Sequence, residues 1–399
     1  MARLRYPGAM TFDDLIAPMS AEEFFRDYWG KKPVLLPGGA GNRRPRFGWD
    51  RFNTLFHIRP HWTEANVKLI MNSQPVDPDF YMEGQGPRLA NVRQVENFLA
   101  MGASLVVDAV ERIAPDIATL TDMLARRFGA AASANFYASF QGVQAFASHC
   151  DTHEVLALHC EGEKRWRIYQ NRADNPLTTL TGEGAQQAID AAKGAVMMEV
   201  TTRPGDLLYI PRGFFHDAIA TDTASLHLTF GFAPLVGKIL FALLEELAVE
   251  DSHFRAYLPA AEDEAGTALT ERLSFLGDRV TALMRTRRFR DLVANEQRRL
   301  AKPPAGMSLP HRPALDFYAR TRVQLDLATP ESGAALHVAG RAVPVGALED
   351  VARYIVERPA FSVEELQAKF AHQPPEEIAA LVADLHRLGA LDPYRPGWG

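Results

Sequence analysis

From about Val67 to Ala233 the chain is broken into short strand-length runs that end at glycine or proline turns, with a few helices between them. "ANFYASF", "HEVLALHC", "RWRIYQN", "AVMMEVTT", "DLLYIP" and "SLHLTFGF" are the clearest of these runs. Many short strands joined by turns predict a sandwich or a barrel. "VRQVENFLAMG" and "VVDAVERIAPDIATLTDMLARRFG" are helical by period. Upstream, Ser20 and Glu23 read as a capping box, with Phe24, Phe25 and Tyr28 on the apolar face of the helix they open. "PVLLPG" then reads as a short strand closed by a turn.

The pattern changes after Pro234. Leu235, Ile239 and Leu243 lie beside Leu240, Leu244 and Leu247 on one amphipathic helix, and more helix follows through "LTERLSFLGDRVTALMRTRRFRDLVANEQRRLA". "KPPAGMSLPHRP" is a breaker-rich linker. Beyond it, "LEDVARYIVERP", "SVEELQAKFA" and "PPEEIAALVADLHRLGAL" predict three short helices, with Pro375 at the start of the last and Gly389 at its end. Three helices of this size look like a winged-helix domain. At 399 residues the chain exceeds one ordinary core. The divisions fall at 1–234 for a barrel with an N-terminal extension, 235–305 for a helical region, and 306–399 for linker and winged helix. An apolar face as broad as that of 235–247 predicts a homodimer through roughly 235–300, with the winged helix near the barrel mouth.

A formal net charge of -6 gives no sign of nucleic acid or an anionic membrane as partner. The third helix of the C-terminal segment is rich in acids, which argues against DNA binding. No run of eighteen apolar residues exists, and "MARLRYPGAMTFDDLIAPM" lacks the apolar core of a signal peptide, so the cytoplasm is the expected compartment. Cys150 and Cys160 are the only cysteines, which excludes a disulfide framework and a zinc-cysteine site.

The chemistry is concentrated in "FASHCDTHEVLALHCEGEKRWRIY", Phe146 to Tyr169. His149 and Asp151 are two apart, so on a strand both point to one face. "RPGDLLYIPRGFFHDA" supplies a turn, a strand, a second turn and then His216. Two histidines and one carboxylate hold one face of an octahedral Fe(II) and leave positions open for a chelating co-substrate and dioxygen. Catalytic zinc uses the same ligand types, so the residues alone leave the metal open. Lys164 follows the hairpin turn after the metal strand, and spacing alone leaves both a pocket-facing and a solvent-facing lysine open.

These motifs, with "NFY" at Asn135 to Tyr137 and "FFRDYWGKKPVLL", resemble the JmjC-type Fe(II)/2-oxoglutarate oxygenases. Within them the chain is most similar to the bacterial ribosomal oxygenases, which hydroxylate side chains of ribosomal proteins. The resemblance implies an α+β fold: a double-stranded β-helix (cupin/JmjC) barrel, a helical dimerisation region and a C-terminal winged helix. It implies Fe(II), 2-oxoglutarate and dioxygen, with oxidative decarboxylation of the co-substrate to succinate and hydroxylation of a C–H bond. By this similarity His149, Asp151 and His216 are the iron ligands and Lys164 pairs with the distal carboxylate of 2-oxoglutarate. Asn135 and Tyr137 line the site, and Thr229 supplies a hydroxyl near the co-substrate. Cys150 replaces a bulkier residue between His and Asp and should face away from iron.

"DAIATDTASLHLTFGF" resembles generic bacterial JmjC proteins more than the ribosomal enzymes, which leaves the substrate open. The alternatives are a natural-product precursor peptide, N-methyl-lysine demethylation, and a non-catalytic cupin-like binding or regulatory protein. Among the remaining residues, His153 and His159 read as core or strand-surface histidines, and His227 as structural though on the face of Thr229. Trp166 is expected outside the barrel, and "RTRRFRDL" as a solvated basic face.

Overall fold

The computed structural model of the chain describes residues 10–38, 47–57, 61–140, 142–222, 224–260, 266–301, 317–328 and 333–393. The linker "KPPAGMSLPHRP" lies outside the described residues. Two units divide the chain, Met1–Pro304 and Ala305–Gly399.

In the first unit the main strands form two antiparallel sheets, beside a separate two-stranded pair of Met82–Glu83 and Leu89–Ala90. The strands are β1 (Val34–Leu36), β2 (Val67–Met71), β3 (Gln74–Pro75), β4 (Ser104–Val107), β5 (Ala130–Phe140) and β6 (Glu154–Glu161). They continue with β7 (Lys164–Arg172), β8 (Val196–Thr202), β9 (Leu207–Ile210), β10 (Phe214–Ala220) and β11 (Ala224–Pro234). The large sheet runs β1-β9-β6-β11-β5-β4-β2-β3 and the small one β8-β7-β10.

Alternation along the strands sorts side chains between two cores. Leu156, Leu158 and Cys160 of β6, with Leu226, Leu228, Phe230 and Phe232 of β11, face outward into the main core. Val155 and Ala157 face the other way, against Trp166, Ile168 and Phe214 of the small sheet. β6 is therefore buried on both faces, which explains its nearly unbroken apolar run.

The outer face of the large sheet is covered by the N-terminal segment and by helix α1 (Pro115–Phe128). Pro115 opens α1, and Gly129 closes it with a φ of 57°. The Trp29 ring stacks on Phe128 at 4.4 Å and lies parallel to Phe232 at 5.8 Å. The helix expected from Val106 does not start there. Val106 and Val107 belong to β4, paired on β2 and β5, because a buried β-branched pair suits a strand. Ser20 accepts from the Glu23 amide at 3.1 Å, but the reciprocal bond of a full capping box is made by Thr11 and Asp14 instead.

The turn at Gly162 and Glu163 also differs from expectation. β6 pairs with β9 and β11, and β7 pairs with β8 and β10, so this turn is no hairpin and carries the chain from the large sheet to the small one. Gly162 has a φ of +67°, and a Cβ there would lie 1.8 Å from the Ala224 carbonyl oxygen.

After the barrel come helices α2 (Ile239–Glu250), α3 (Thr267–Met284) and α4 (Arg287–Leu300). Helix α2 begins four residues later than Leu235. Leu243 and Leu247 bury against Phe289, with Leu240 and Leu244 packed at the edge of that cluster. Phe241 is 76% exposed. In the described residues no helix is long and apolar enough to cross a membrane.

The described residues of the second unit hold three α-helices, α5 (Glu349–Glu357), α6 (Val363–Lys369) and α7 (Pro375–Arg387). Val351, Ile355, Leu366, Ile378 and Leu385 form its core. Ser362 and Glu365 make a reciprocal capping box at α6. Two three-stranded sheets accompany the helices, one from Phe317–Arg320, Ala360–Ser362 and Leu391–Pro393, the other from Leu325–Ala328, Ala335–Val338 and Arg341–Pro344. These strands are three or four residues long, too short to display a period.

The crossing at Gly162 yields the first prediction. Gly162→Ala should destabilise the protein by about 2 kcal/mol or more, from backbone strain and the clash with Ala224, as read by urea unfolding. An unchanged midpoint would show that the crossing tolerates a side chain.

Candidate metal centre and its pocket

His149 and Asp151 do not lie within a regular strand; β6 starts only at Glu154. His149 instead forms an isolated antiparallel bridge with His216 of β10. The two backbones exchange both hydrogen bonds, His149 amide to His216 carbonyl at 3.0 Å and the reverse at 2.8 Å. The Gly213 amide then donates to the Asp151 carbonyl at 2.9 Å. The β10–β7 ladder is irregular between Phe214 and His216, the kind of local break that re-aims a side chain beside a site. The outcome is the juxtaposition the motifs suggest. One ligand atom from each of His149, Asp151 and His216 lies within 4.8 Å of the others.

The histidine tautomers follow from their backbone partners. His149 Nδ1–H donates to the Ala147 carbonyl at 2.9 Å, and His216 Nδ1–H donates to the Phe214 carbonyl at 3.0 Å. Each ring therefore keeps its Nε2 lone pair free, the arrangement that orients metal-ligating histidines. Burial, and His149 beside it, depress the His216 pKa to about 4, so the imidazole is neutral. Burial opposes ionisation of Asp151, but His216, His149 and His153 outweigh it and hold the carboxyl below its ordinary range. His216 Nε2 stands 3.6 Å from Asp151 Oδ2. Two imidazoles and one carboxylate fit a divalent cation bound on one face.

The pocket beside these groups lies between the two sheets. Asn135 and Tyr137 of β5 and His227 and Thr229 of β11 line one wall; Lys164 and Trp166 of β7 line the other. Thr229 is paired with Asn135 and His227 with Tyr137 in the ladder. The Asn135 Oδ1 accepts from the Ala109 amide at 3.1 Å, which fixes that side chain. Burial and the nearby Asp151 raise the Tyr137 hydroxyl pKa, keeping it a neutral donor.

Lys164 is only 3% exposed, and no acid lies within ion-pair distance of it among the described residues. Burial alone lowers its pKa to about 7. A buried ammonium without a counter-ion is costly. A pocket built around one is prepared for an anion, and a carboxylate satisfies it by a charge-assisted bond.

Trp166 was expected outside the barrel, yet it faces the pocket because it shares the strand face of Lys164 two residues away. That spacing was available in the sequence. Its Nε1–H donates to Thr202 Oγ1 at 3.2 Å, and that hydroxyl contacts His159 Nδ1 at 3.0 Å. His159 is a core residue, as expected, and burial depresses its pKa to about 4. His153, expected in the core or on a strand surface, lines the pocket. His227 also lines it, its ring stacked on Tyr137 at 4.9 Å. Cys150 turns away from the pocket and packs with Tyr169, Ile189 and Phe215, as its position next to His149 requires.

The buried lysine sets a pH dependence. With a folded pKa of about 7, against 10.5 ordinarily, the unfolded chain carries a proton between those values that the native state lacks. Stability of the ligand-free protein should therefore rise with pH across this window. Lys164→Met should remove that component and stabilise the protein at pH 7 by a few kcal/mol. Thermal melts of both proteins from neutral to alkaline pH check this, and identical slopes would refute it.

Residues 109–238 match the JmjC domain family. Among curated proteins, ribosomal oxygenase 1 of Danio rerio is 31% identical over 263 residues, 62% of this chain and 46% of that protein. The bifunctional lysine-specific demethylase and histidyl-hydroxylase NO66 of Dictyostelium discoideum is 28% identical over 295 residues, 68% of this chain and 55% of that protein. The chain thus spans about half the length of these relatives. Among solved structures, the Escherichia coli ribosomal oxygenase YcfD, in complex with cobalt and 2-oxoglutarate, aligns with a TM-score of 0.50 at 16% identity, covering 94% of this chain and 98% of that one. At that identity the alignment speaks for the fold. The two-sheet barrel agrees with that fold; residues 109–238 match the JmjC domain model, and the chain is similar to the ribosomal oxygenases over about half of their length.

Proposed function

We propose that this protein is an Fe(II)- and 2-oxoglutarate-dependent hydroxylase of a protein side chain, with a ribosomal protein as substrate. The observation that carries the reading is a buried lysine, without an acid partner among the described residues, in the same pocket as a His-Asp-His cluster. A metal site alone fits many hydrolases. A metal site with a dry cation across the pocket fits a chelating dicarboxylate. The names of the relatives supply the ribosomal substrate.

In this reading His149, Asp151 and His216 hold iron on one face. Bound iron with 2-oxoglutarate and dioxygen supplies the oxidation, which turns a substrate C–H into C–OH while the co-substrate becomes succinate and carbon dioxide. The chain's own work is positioning. Lys164 anchors the distal carboxylate, and Thr229 offers its hydroxyl beside it. Asn135 and Tyr137 shape the wall, with Tyr137 a neutral donor. The apolar faces of Trp166 and Phe146 keep water from the reacting centre.

A second reading uses the same residues. Hydroxylation of an N-methyl group releases formaldehyde, and relatives named as bifunctional lysine demethylases make it the natural rival. The remaining parts of the proposal are architectural. Residues 1–234 form the catalytic domain, 235–305 a helical dimerisation region and 306–399 a linker and winged helix. The winged helix does not read DNA, since α7 opens with Glu376 and Glu377. A ribosomal substrate implies a cytoplasmic enzyme. The exposed Phe241 and Val249 of α2 support a homodimer.

Incubation with ribosomal proteins, iron and 2-oxoglutarate should add one oxygen to a single side chain, detected by mass spectrometry; formaldehyde release with loss of a methyl group would favour the rival. His149→Ala and Asp151→Ala should each abolish succinate formation, and undiminished turnover would refute the ligand assignment. Lys164→Ala should weaken 2-oxoglutarate binding by about 2–5 kcal/mol while metal still binds. Phe241→Asp, which spares the intrachain cluster of Leu243 and Leu247, should give monomers by light scattering, and a wild-type monomer at micromolar concentration would exclude the dimer.

A further inference from the structure

Asp217 is buried on the small sheet, one residue from His216, and no step above uses it. Side chains of neighbouring strand residues point to opposite faces, so Asp217 turns away from the pocket that His216 faces. Its carboxylate is fully engaged. Ser148 Oγ donates to Oδ2 at 2.7 Å, the Tyr169 hydroxyl donates to the same oxygen at 2.6 Å, and Arg167 Nε donates to Oδ1 at 2.8 Å.

The position of Ser148 gives this cluster its meaning. Counting antiparallel from the His149–His216 bridge sets Ser148 directly opposite Asp217 and Cys150 opposite Phe215. The near face of the bridge thus carries the two histidines, and the far face carries a hydrogen-bonded pair and a packed pair. Among the described residues between 144 and 153, this bridge is the one strand-type pairing that fixes the segment. Ser148 is held further by Lys193 Nζ, which donates to its hydroxyl at 3.0 Å, and by Gln186 Nε2, which donates to its carbonyl at 3.2 Å.

We propose that Ser148 and Asp217 form a clamp on the far face of the bridge that positions His149 against His216 before any metal binds. The proposal rests on the reading of His149, Asp151 and His216 as the metal ligands. Ser148 and Asp217 touch neither metal nor substrate; they are positioning residues. A ligand on an irregular segment samples other placements unless something outside the coordination sphere holds its backbone, and metal affinity falls by the fraction of time it is misplaced.

The test uses Co(II) as probe with the full ligand-free chain, followed by calorimetric titration and by the absorption spectrum of the bound ion. Ser148→Ala removes the tether but leaves Asp217 two donors, so the variant folds. It should bind Co(II) about ten-fold more weakly or worse, with an altered spectrum. Tyr169→Phe removes a donor from the same carboxylate and a long 3.4 Å contact with Ser148 Oγ, but leaves the Ser148–Asp217 bond, and should hold Co(II) affinity within about two-fold of wild type even if its melting temperature falls. Equal affinity of Ser148→Ala and wild type would overturn the clamp. So would a loss in Tyr169→Phe as large as in Ser148→Ala, because the effect would then follow stability rather than the tether. Failure of the wild type to bind Co(II) would overturn the metal-centre reading itself, and the clamp with it.

Discussion

The bridge between His149 and His216 is the interaction on which the site depends. It consists of two backbone hydrogen bonds, each contributing about 1 kcal/mol net, yet it joins an irregular segment to the small sheet at the point of chemistry. Without it, the two imidazoles would be presented by parts of the chain that share no ladder. With it, their Cβ atoms stand side by side on one face, and the carbonyls of Ala147 and Phe214 turn both rings the same way. Asp151 follows because its own carbonyl is held by Gly213 at the turn before β10.

Two opposed demands meet in the pocket. A low dielectric strengthens every interaction with a bound anion and excludes water, but it also raises the cost of holding Lys164 charged while the pocket lacks one. The protein accepts that cost on a strand anchored on both sides, to Thr202 and to Ala220, so the ammonium cannot escape to solvent by a local shift. The neighbouring histidines, His159 and His227, are kept neutral, which spares the site a second buried positive charge. Stability is given up at a buried lysine that lines the pocket, a common trade at binding sites.

Much of this was legible in the sequence, for identifiable reasons. Strands β5 to β11 stand as short strand-like runs between strong turn residues, and His149, Asp151 and His216 stand in motifs of fixed spacing. What was not legible depends on which strands pair. The turn at Gly162 looks like a hairpin, because a glycine between two strands is the usual hairpin sign, and only pairing reveals a crossing between sheets. His149 and Asp151 looked like strand residues because extended backbone and a ladder give the same spacing; the structure provides a single bridge. Trp166 reads as a surface residue because a tryptophan next to an arginine suggests the surface, although its spacing from Lys164 places it on the pocket face. The cluster around Asp217 left no local trace, because Ser148, Arg167 and Tyr169 come from separate segments.

The last point concerns register. Lys164, Trp166 and Ile168 alternate with Arg165 and Arg167 along β7. A slip of one residue would replace the pocket lysine and tryptophan by arginines and carry the buried lysine outward. Trp166 and Ile168 resist such a slip, but at the lysine itself the hydrophobic pattern is weak, because lysine and arginine are near equals in hydropathy. Three features outside the pattern fix the alignment. The ladders to β8 and β10 flank β7 on both sides, Gly162 admits the chain only where the Ala224 carbonyl leaves no room for a side chain, and Arg167 is tied to Asp217 on the far face. An ion pair with a 41% exposed arginine adds little stability. Its value here is to make the slipped register worse, since a slip would bury Arg167 in the pocket and leave Asp217 without it. The residues behind the sheet thereby decide which residues stand in front of it.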